Sequence, residues 1–450
     1  MIQVNGITWV EDNYYKIAES GIPVLPPIYD LAGKLNELPM GDGSFLFGDD
    51  EWNFITCDQL DRDSCHLKYD FQKISCEYKE YVKMIVLQKI AVDFSAFSTV
   101  YDLCRRLIKL TNYFKKNYLF DYNLLSLKII QDYLNGLGKL RQKELYCYVE
   151  AARELLKCIQ IANNNKINYN DIFEYLDNIV DFDLMTVESE EGKTSEIPKN
   201  FFDMIVTCAY KDLIDPNLDT SQKKEAGLVM LLSQIGPRLG EARLFEMDRL
   251  ETTKIFDNAV VANYLKFKTY KTARNNTYDW TSAFLTENAV LAYKNLEEIA
   301  KRHNKKGCKY LFCNCSNDRK CKPLHQNTLR RWLLKFVVRH HAELDCINKS
   351  EKDFPGFQII SVQDTNKNES YVPNDYKIDL ATTDKIFVPC SHQFRVTVAN
   401  ELDRQGVNLH WISVHMNHLT IVMTIHYNRR QKQRRMAETE YAKKILPQLQ

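Results

Sequence analysis

"SHQFRVTVANELDRQGVNLHWISVHMNHLTIVMTIHYNRRQ", residues 391–431, holds five of the chain's ten histidines and a tyrosine just ahead of a basic run. Phe394, Val398 and Leu402 recur at i, i+4 and i+8, the spacing of a buried helical stripe. Gly406 is placed to end that helix. His392 and Arg395 are three apart, so they share a face near the helix start, where backbone N–H groups and the helix dipole favour an anion. "NLHWISVHM" predicts a second short helix capped by Asn408. "NHLT" reads as a turn and "TIVMTIHYNRR" as a third helix capped by Thr420, with Tyr427 near its end and Arg429 and Arg430 after it. The apolar stripe accounts for a core, but it does not account for the polar residues left over.

The rest of the chain bounds what they can do. Its 450 residues are enough for two or three domains. At 45% hydrophobic, with only 15 Gly and 12 Pro, it has material for packed cores and is neither collagenous nor disordered. The net charge of +1 hides an asymmetry: residues 1–83 hold 15 acidic and 7 basic side chains, a balance of −8, so residues 84–450 carry +9. A basic body suits a polyanionic ligand. The 13 cysteines are scattered rather than arranged as a dense framework. The N-terminus lacks a signal-peptide pattern and no apolar run reaches membrane-spanning length, so a cytoplasmic protein with reduced thiols and no membrane partner is expected.

Residues 1–83 are punctuated by "GIPVLPPIYD" and "LPMGDGSFLFGDDEW" and form an N-terminal region to which the sequence assigns no role. Helical periodicity begins at about residue 84. Val100, Leu103, Leu107 and Leu110 set the spacing, and with "LLSLKIIQDYLNGL", "LRQKELYCYVEAARELLKCIQIAN" and "YNDIFEYLDNIV" they predict a helical bundle over 84–185. Its Arg105, Arg106, Lys109 and Lys115 read either as a surface for the polyanion or as a solvated face. "TVESEEGKTSEIPKN", 186–200, reads as a linker. Helices resume after it, then a strand-rich patch in which Tyr264, Lys266, Lys268 and Tyr270 alternate with Leu265 and Phe267. Residues 343–390 read as a long polar insertion with a short strand or two. The fold class is therefore mainly α with a small antiparallel β-sheet.

The spacing H-x-x-R, 23 residues to a His, then nine to a Tyr (His392, Arg395, His418, Tyr427) resembles the C-terminal signature of the tyrosine recombinases, the phage-integrase family. The departure is Asn417, where the family often has glycine before the His. "QIGPRLGEARLFEMDRLE" resembles the family's earlier G-x-R-x-x-E element and contributes Gly236, Arg238 and Glu241. "YKTARNNTYDW" resembles its lysine hairpin, with Lys271 as the candidate and Lys268 as the alternative, since hairpin register is easily missed. The resemblance implies a helical core-binding domain at 84–185 and an α+β catalytic domain at 201–435. It also implies a tail at 436–450 that packs on a neighbouring protomer.

The chemistry of a DNA phosphodiester asks for these residue types. Arginines are always charged, planar and bidentate toward phosphate, so Arg238 and Arg395 suit a clamp on the scissile group. A tyrosine forms a covalent phosphoester that conserves bond energy, and its pKa of about 10 makes cationic neighbours useful. A lysine can protonate the leaving 5′-hydroxyl. His392 and His418 can hydrogen-bond the phosphate, and Glu241 reads as an orienting group. The resemblance implies a site-specific recombinase that needs no ATP, metal or other cofactor. Its partners would be double-stranded DNA with inverted half-sites, further copies of itself (a dimer on each site, a tetramer in synapsis) and accessory recombination proteins, and its place the cytoplasm at the nucleoid. The rivals are a type IB topoisomerase-like enzyme and an inactive DNA-binding accessory protein. His410, His415 and His426 read as structural or surface residues.

A second cluster is "GCKYLFCNCSNDRKCKPLH", with Cys308, Cys313, Cys315, Cys321 and His325. Its spacing does not fit paired C-x-x-C zinc ligands, so the expectation is a loop of reduced thiols and no metal, with a zinc-dependent module as the rival.

Overall fold

The computed structural model describes residues 2–4, 7–9, 39–40, 43–55, 64–91, 93, 95–163, 165–255, 260–269, 278–304, 307–314, 321–362, 379–418 and 424. They belong to two compact units, the first reaching Lys193 and the second beginning at Thr194.

The first unit opens with three antiparallel strand pairs: β1 (Ile2–Val4) with β2 (Ile7–Trp9), β3 (Pro39–Met40) with β4 (Phe45–Leu46), and β5 (Glu51–Asn53) with β6 (Lys68–Asp70). Helices follow: α1 (Cys76–Ala91), α2 (Phe97–Lys116), α3 (Leu127–Asn135), α4 (Gln142–Ala162), α5 (Asn170–Asn178) and α6 (Phe182–Glu191). On α2 the buried Val100, Cys104, Leu107, Leu110 and Phe114 recur every three or four residues, as an amphipathic helix requires. One hydrophobic core runs from Met40 to Val180. Phe54 from the strand region packs on Phe97 of α2 with ring centroids 5.3 Å apart, and the Tyr69 hydroxyl donates to the Phe97 carbonyl at 3.1 Å.

Two expected boundaries are displaced. The one at 83/84 falls inside α1, whose Tyr78, Tyr81 and Val82 are buried with Trp52, Phe54 and Tyr69 of the strand region in the core of the bundle. The expected linker, 186–200, begins inside α6. Its later part is tied to the second unit: Ile197 is buried and its N–H donates to Thr397 Oγ1 at 2.8 Å.

The second unit runs α7 (Lys199–Ile214), α8 (Thr220–Ile235), α9 (Leu239–Ala242), β7 (Leu250–Ile255), β8 (Val260–Thr269), β9 (Asp279–Leu285), α10 (Glu287–His303), β10 (Cys313–Asn314), β11 (Lys322–Pro323), α11 (Gln326–Arg339), α12 (His341–Leu344), β12 (Gln358–Ser361), β13 (Lys385–Val388), α13 (Ser391–Arg404) and α14 (Leu409–His415). Helix α8 is the axis. It is buried on all sides from Glu225 to Ser233 and again at Ile235, and packs against α7, α10, α11 and α13. A Cβ on Gly227 would lie 2.7 Å from Leu296 Cγ, so only glycine lets α8 and α10 approach this closely. Asp219 starts the helix by accepting from the Gln222 N–H at 2.8 Å while Gln222 Oε1 takes the Asp219 N–H.

Strands β7, β8 and β9 form the three-stranded antiparallel sheet expected from the alternating patch, with Leu250 opposite Leu265 and Lys268 opposite Trp280. In the expected insertion, β12 pairs with β13, and Phe354 and Phe357 pack on Phe201 and belong to the core. The expected tail at 436–450 lies outside the described residues. Among the described residues no helix is long and apolar enough to cross a membrane.

Candidate active site

The site is assembled where α8 ends. Gly236 takes the left-handed conformation (φ +64°) that closes the helix. A Cβ there would come within 3.3 Å of Arg395 Cα and Val398 Cβ and 3.2 Å of Met416 Cε. Both the turn and the close approach of α13 therefore require glycine. Arg395 uses the space: Nη1 donates to the Gly236 carbonyl at 2.8 Å and Nη2 to the Met416 carbonyl. Its side chain crosses from α13 to the end of α8 and to the turn after α14, and is 2% exposed. Neutral carbonyls hold the guanidinium in place without neutralising it.

Two residues beyond Gly236, Arg238 caps the short α9. Its N–H donates to Glu241 Oε2 and its Nη1 to Glu241 Oε1, both at 2.9 Å. Glu241 is 1% exposed and also accepts from Thr269 Oγ1 at 2.8 Å. One buried carboxylate thus locks the arginine and joins it to the end of β8.

Helix α13 ends at Arg404, with Gly406 at φ +82° behind it, and Asn408 caps α14 by accepting from the His410 N–H at 2.8 Å. Asn417 has φ +49°. The position needs a left-handed backbone, and asparagine is among the few non-glycine residues that adopt it readily. The departure from the resembled pattern is therefore sterically equivalent, and it delivers His418 into the interior. The His418 N–H donates to the Ser413 carbonyl at 2.9 Å and Nδ1 lies 3.0 Å from Thr424 Oγ1. Burial first, then the charges of Arg395 and Arg238, lower the His418 pKa to about 3. The ring is neutral at pH 7. Arg395 binds the carbonyls of Gly236 and Met416, and Arg238 and His418 each follow one of these by two residues, so the three side chains belong to one neighbourhood.

His392 stands exposed in the first turn of α13, one turn from Arg395. Lys268, the alternative lysine, is buried on β8: Nζ is 3.1 Å from Glu246 Oε1 and 4.1 Å from the Tyr278 ring centroid. Burial raises the Glu246 pKa, but hydrogen bonds from Lys268 and Arg249 outweigh it and hold the carboxyl below its usual range. Lys271, Tyr427, Arg429 and Arg430 lie outside the described residues. In the first unit, Arg105, Lys109 and Lys115 are exposed on α2 and Arg106 is half-buried; Arg106 and Lys109 lie over the Tyr148 ring at 5.6 and 5.0 Å.

Several parts of the site escape a sequence reading. Thr269, Thr424 and the carbonyls of Gly236 and Met416 are generic groups whose roles come only from tertiary placement. His415 reads as structural or surface. Its ring meets the backbone of Ile235 beside Arg395, and burial, ahead of that charge, lowers its pKa to about 4. The one available signal was its i, i+3 spacing from His418.

No known protein-family description matches the chain, and no curated protein matches it in sequence. Solved structures do match. The XerH site-specific recombinase bound to palindromic difH substrate, a post-cleavage complex, aligns over 82% of this chain and 85% of its own at a TM-score of 0.52 and 15% identity. The chain has the tyrosine-recombinase fold. XerH in its pre-cleavage complex with difH also aligns, over 79% of this chain and 83% of its own (TM-score 0.48, 13% identity). So does the Tn1549 transposon integrase in complex with transposon right-end DNA, over 79% of this chain and 99% of its own (TM-score 0.41, 14% identity). The tyrosine-recombinase assignment rests on the first of the three and concerns architecture.

Proposed function

We propose that the protein is a site-specific DNA recombinase that breaks and rejoins strands through a covalent phosphotyrosine. The observation that carries the reading is the convergence of Arg238, Arg395 and His418 at the end of α8, on a fold whose solved examples include a recombinase bound to its DNA substrate. Two fixed guanidinium groups are suited to the nonbridging oxygens of a phosphodiester, whose charge grows in the transition state. His418, neutral and buried, offers a hydrogen bond there, and His392 adds a donor from the first turn of α13.

Tyr427 attacks phosphorus through its phenolic oxygen and gives up its phenolic proton to solvent. A tyrosine O–P bond forms and the bond from phosphorus to the 5′-oxygen breaks. The departing oxygen takes a proton from Lys271, and the 5′-hydroxyl of a partner strand reverses the step. Bond energy is conserved, so the scheme uses no ATP. Lys268 is engaged with Glu246, which favours Lys271 as the proton donor and Lys268 as a positioning residue. The substrate is double-stranded DNA with inverted half-sites, bound by a dimer and exchanged within a tetramer, with accessory proteins directing the outcome. The basic face of α2 contributes phosphate contacts and the arginines after Tyr427 extend them. A mobile genetic element is the natural setting, and the cytoplasm its location.

The test begins with fragments selected by the protein from its source genome. These are rebuilt as duplexes nicked beside the cleavage point, so that the released strand diffuses away and the adduct accumulates. A covalent protein–DNA complex that is absent in Tyr427→Phe supports the reading. No adduct in the wild type, or an adduct that persists in Tyr427→Phe, overturns it. Relaxation of supercoiled plasmid by a monomer on arbitrary sequence would indicate the topoisomerase alternative. Selective DNA binding with neither adduct nor relaxation would indicate an inactive accessory protein.

A further inference from the structure

Between α10 and α11 the chain makes a small hairpin in which Cys313 of β10 lies opposite Pro323 of β11. Three cysteines converge on it. The sulfurs of Cys308, Cys313 and Cys321 all lie within 4.8 Å of one another. Those of Cys308 and Cys321 are at bonding distance, with Cα atoms 5.5 Å apart, and Cys313 Sγ is 2.9 Å from Cys321 Sγ. Cys308 is 5% exposed and the other two are half-buried. The sequence spacing gave no sign of this, because ligand-spacing rules assume knuckles of fixed length and here the hairpin closes the distance.

The third sulfur discriminates between the chemistries open to such a cluster. A disulfide uses two sulfurs and leaves Cys313 pressed against the bond. A tetrahedral thiolate centre uses all three, since Zn–S bonds of about 2.3 Å set ligand sulfurs roughly 3.8 Å apart, within the spread seen. Three soft thiolates select zinc-class cations over calcium or magnesium.

We propose that Cys308, Cys313 and Cys321 form a three-thiolate structural site for a zinc-class divalent cation, its fourth position completed by water or another donor. Binding releases the thiol protons, and the resulting net charge of −1 on the centre is offset by the neighbouring Lys309 and Lys322. The consequence reaches the active site through the backbone. The hairpin segment is docked on the segment between α9 and β7: the Leu311 N–H donates to the Phe245 carbonyl at 2.8 Å, the Met247 N–H to the Lys309 carbonyl at 2.7 Å, and Arg243 Nε to the Leu324 carbonyl at 2.9 Å. Lys309 Nζ is 3.2 Å from Glu246 Oε1, the atom that also holds Lys268. The ion pins the hairpin, and the hairpin pins the segment carrying Glu246. The metal site stands independently of the recombinase reading.

The test is metal analysis of the full-length protein purified under reducing conditions, with zinc and cobalt as probes. The expected result is about one zinc per chain, and on cobalt substitution a thiolate-to-metal charge-transfer band of an intensity matching three sulfurs. Cys313→Ser lowers zinc affinity by at least about tenfold, no less than the loss of a group that only hydrogen-bonds to a ligand costs, while Cys65→Ser changes nothing. A metal-free wild type overturns the proposal. So does zinc held equally well by Cys313→Ser, or an intact mass lighter by one pair of hydrogens that is also found in Cys313→Ser, which would mean a simple Cys308–Cys321 disulfide. Should Cys313→Ser fail to fold, the wild-type zinc content and cobalt spectrum decide.

Discussion

The end of α8 and the outer face of α2 both present cations, and they do so differently. At α8 each arginine is held by two bonds: the Arg395 guanidinium by two backbone carbonyls, and Arg238 by Glu241, which accepts from its Nη1 with one oxygen and from its backbone N–H with the other. On α2, Arg105 and Lys115 are exposed, and Arg106 and Lys109 rest on one tyrosine ring. Attraction to a polyanion needs only charge near a surface, and loose side chains supply it. Stabilising one phosphate in a transition state needs donors fixed beforehand, because reorganising them during the reaction would cost what they contribute. The molecule spends buried hydrogen bonds on the first arrangement and solvent exposure on the second.

The contrast breaks most sharply at Arg395. Arg395→Ala should reduce adduct formation by at least about 10²–10³-fold, the loss that follows removal of one preorganised donor. It should also destabilise the second unit by about 1–3 kcal/mol for each carbonyl left unsatisfied. Rates from the nicked-duplex assay and denaturant melts check both. If Arg395→Ala keeps wild-type stability, the claim that carbonyls anchor this side chain is wrong.

A second test concerns the turn that delivers His418. At φ +49°, Asn417→Val should cost about 1–3 kcal/mol and slow cleavage, whereas Asn417→Gly should stay within about 1 kcal/mol of the wild type. Equal melts for the two variants would remove the backbone argument.

The buried imidazoles give a pH signature. His418 and His415 have pKa values lowered to about 3 and about 4, against an ordinary value of 6.5. Between those values the unfolded chain binds protons that the folded chain refuses. Stability from these groups is thus complete above about pH 6.5 and declines as pH falls toward 3. His418→Gln should flatten part of that decline in pH-dependent melts, and a slope unchanged by the substitution would contradict the burial described.

The smallest effects belong to α2. Arg105→Ala and Lys109→Ala should each weaken DNA binding uniformly across sequences and reduce the salt slope by about 1, with no change in the rate of cleavage at saturating DNA. A change in that rate would mean that α2 takes part in positioning the phosphate.

The legible part of the fold was the periodic part. The stripe through Phe394 and Val398, the stop at Gly406 and the cap at Asn408 depend on neighbours within a few residues, and local rules reach them. So do the strand pattern of β8 and the spacing that singles out Arg238, Arg395 and His418. Residues 39–70 were illegible because their strands are two or three residues long, shorter than the window in which a period can be recognised. The bond from Arg395 to Gly236 spans 159 positions, and nothing near either residue announces the other. The convergence of Cys308, Cys313 and Cys321 was illegible for a related reason: a hairpin, rather than sequence proximity, brings their sulfurs together.

The Arg395 side chain has a practical consequence for anyone who wants an inert version of this protein. It is a strut as well as a grip, tying the residue that closes one helix to the turn beyond another. A chain silenced at Arg395 would lose a piece of its frame along with its proposed chemistry, and any lost binding could be blamed on either. The phenolic oxygen of Tyr427 is the cleaner place to intervene, since deleting a single atom there would leave Gly236, Arg395 and Met416 braced as before.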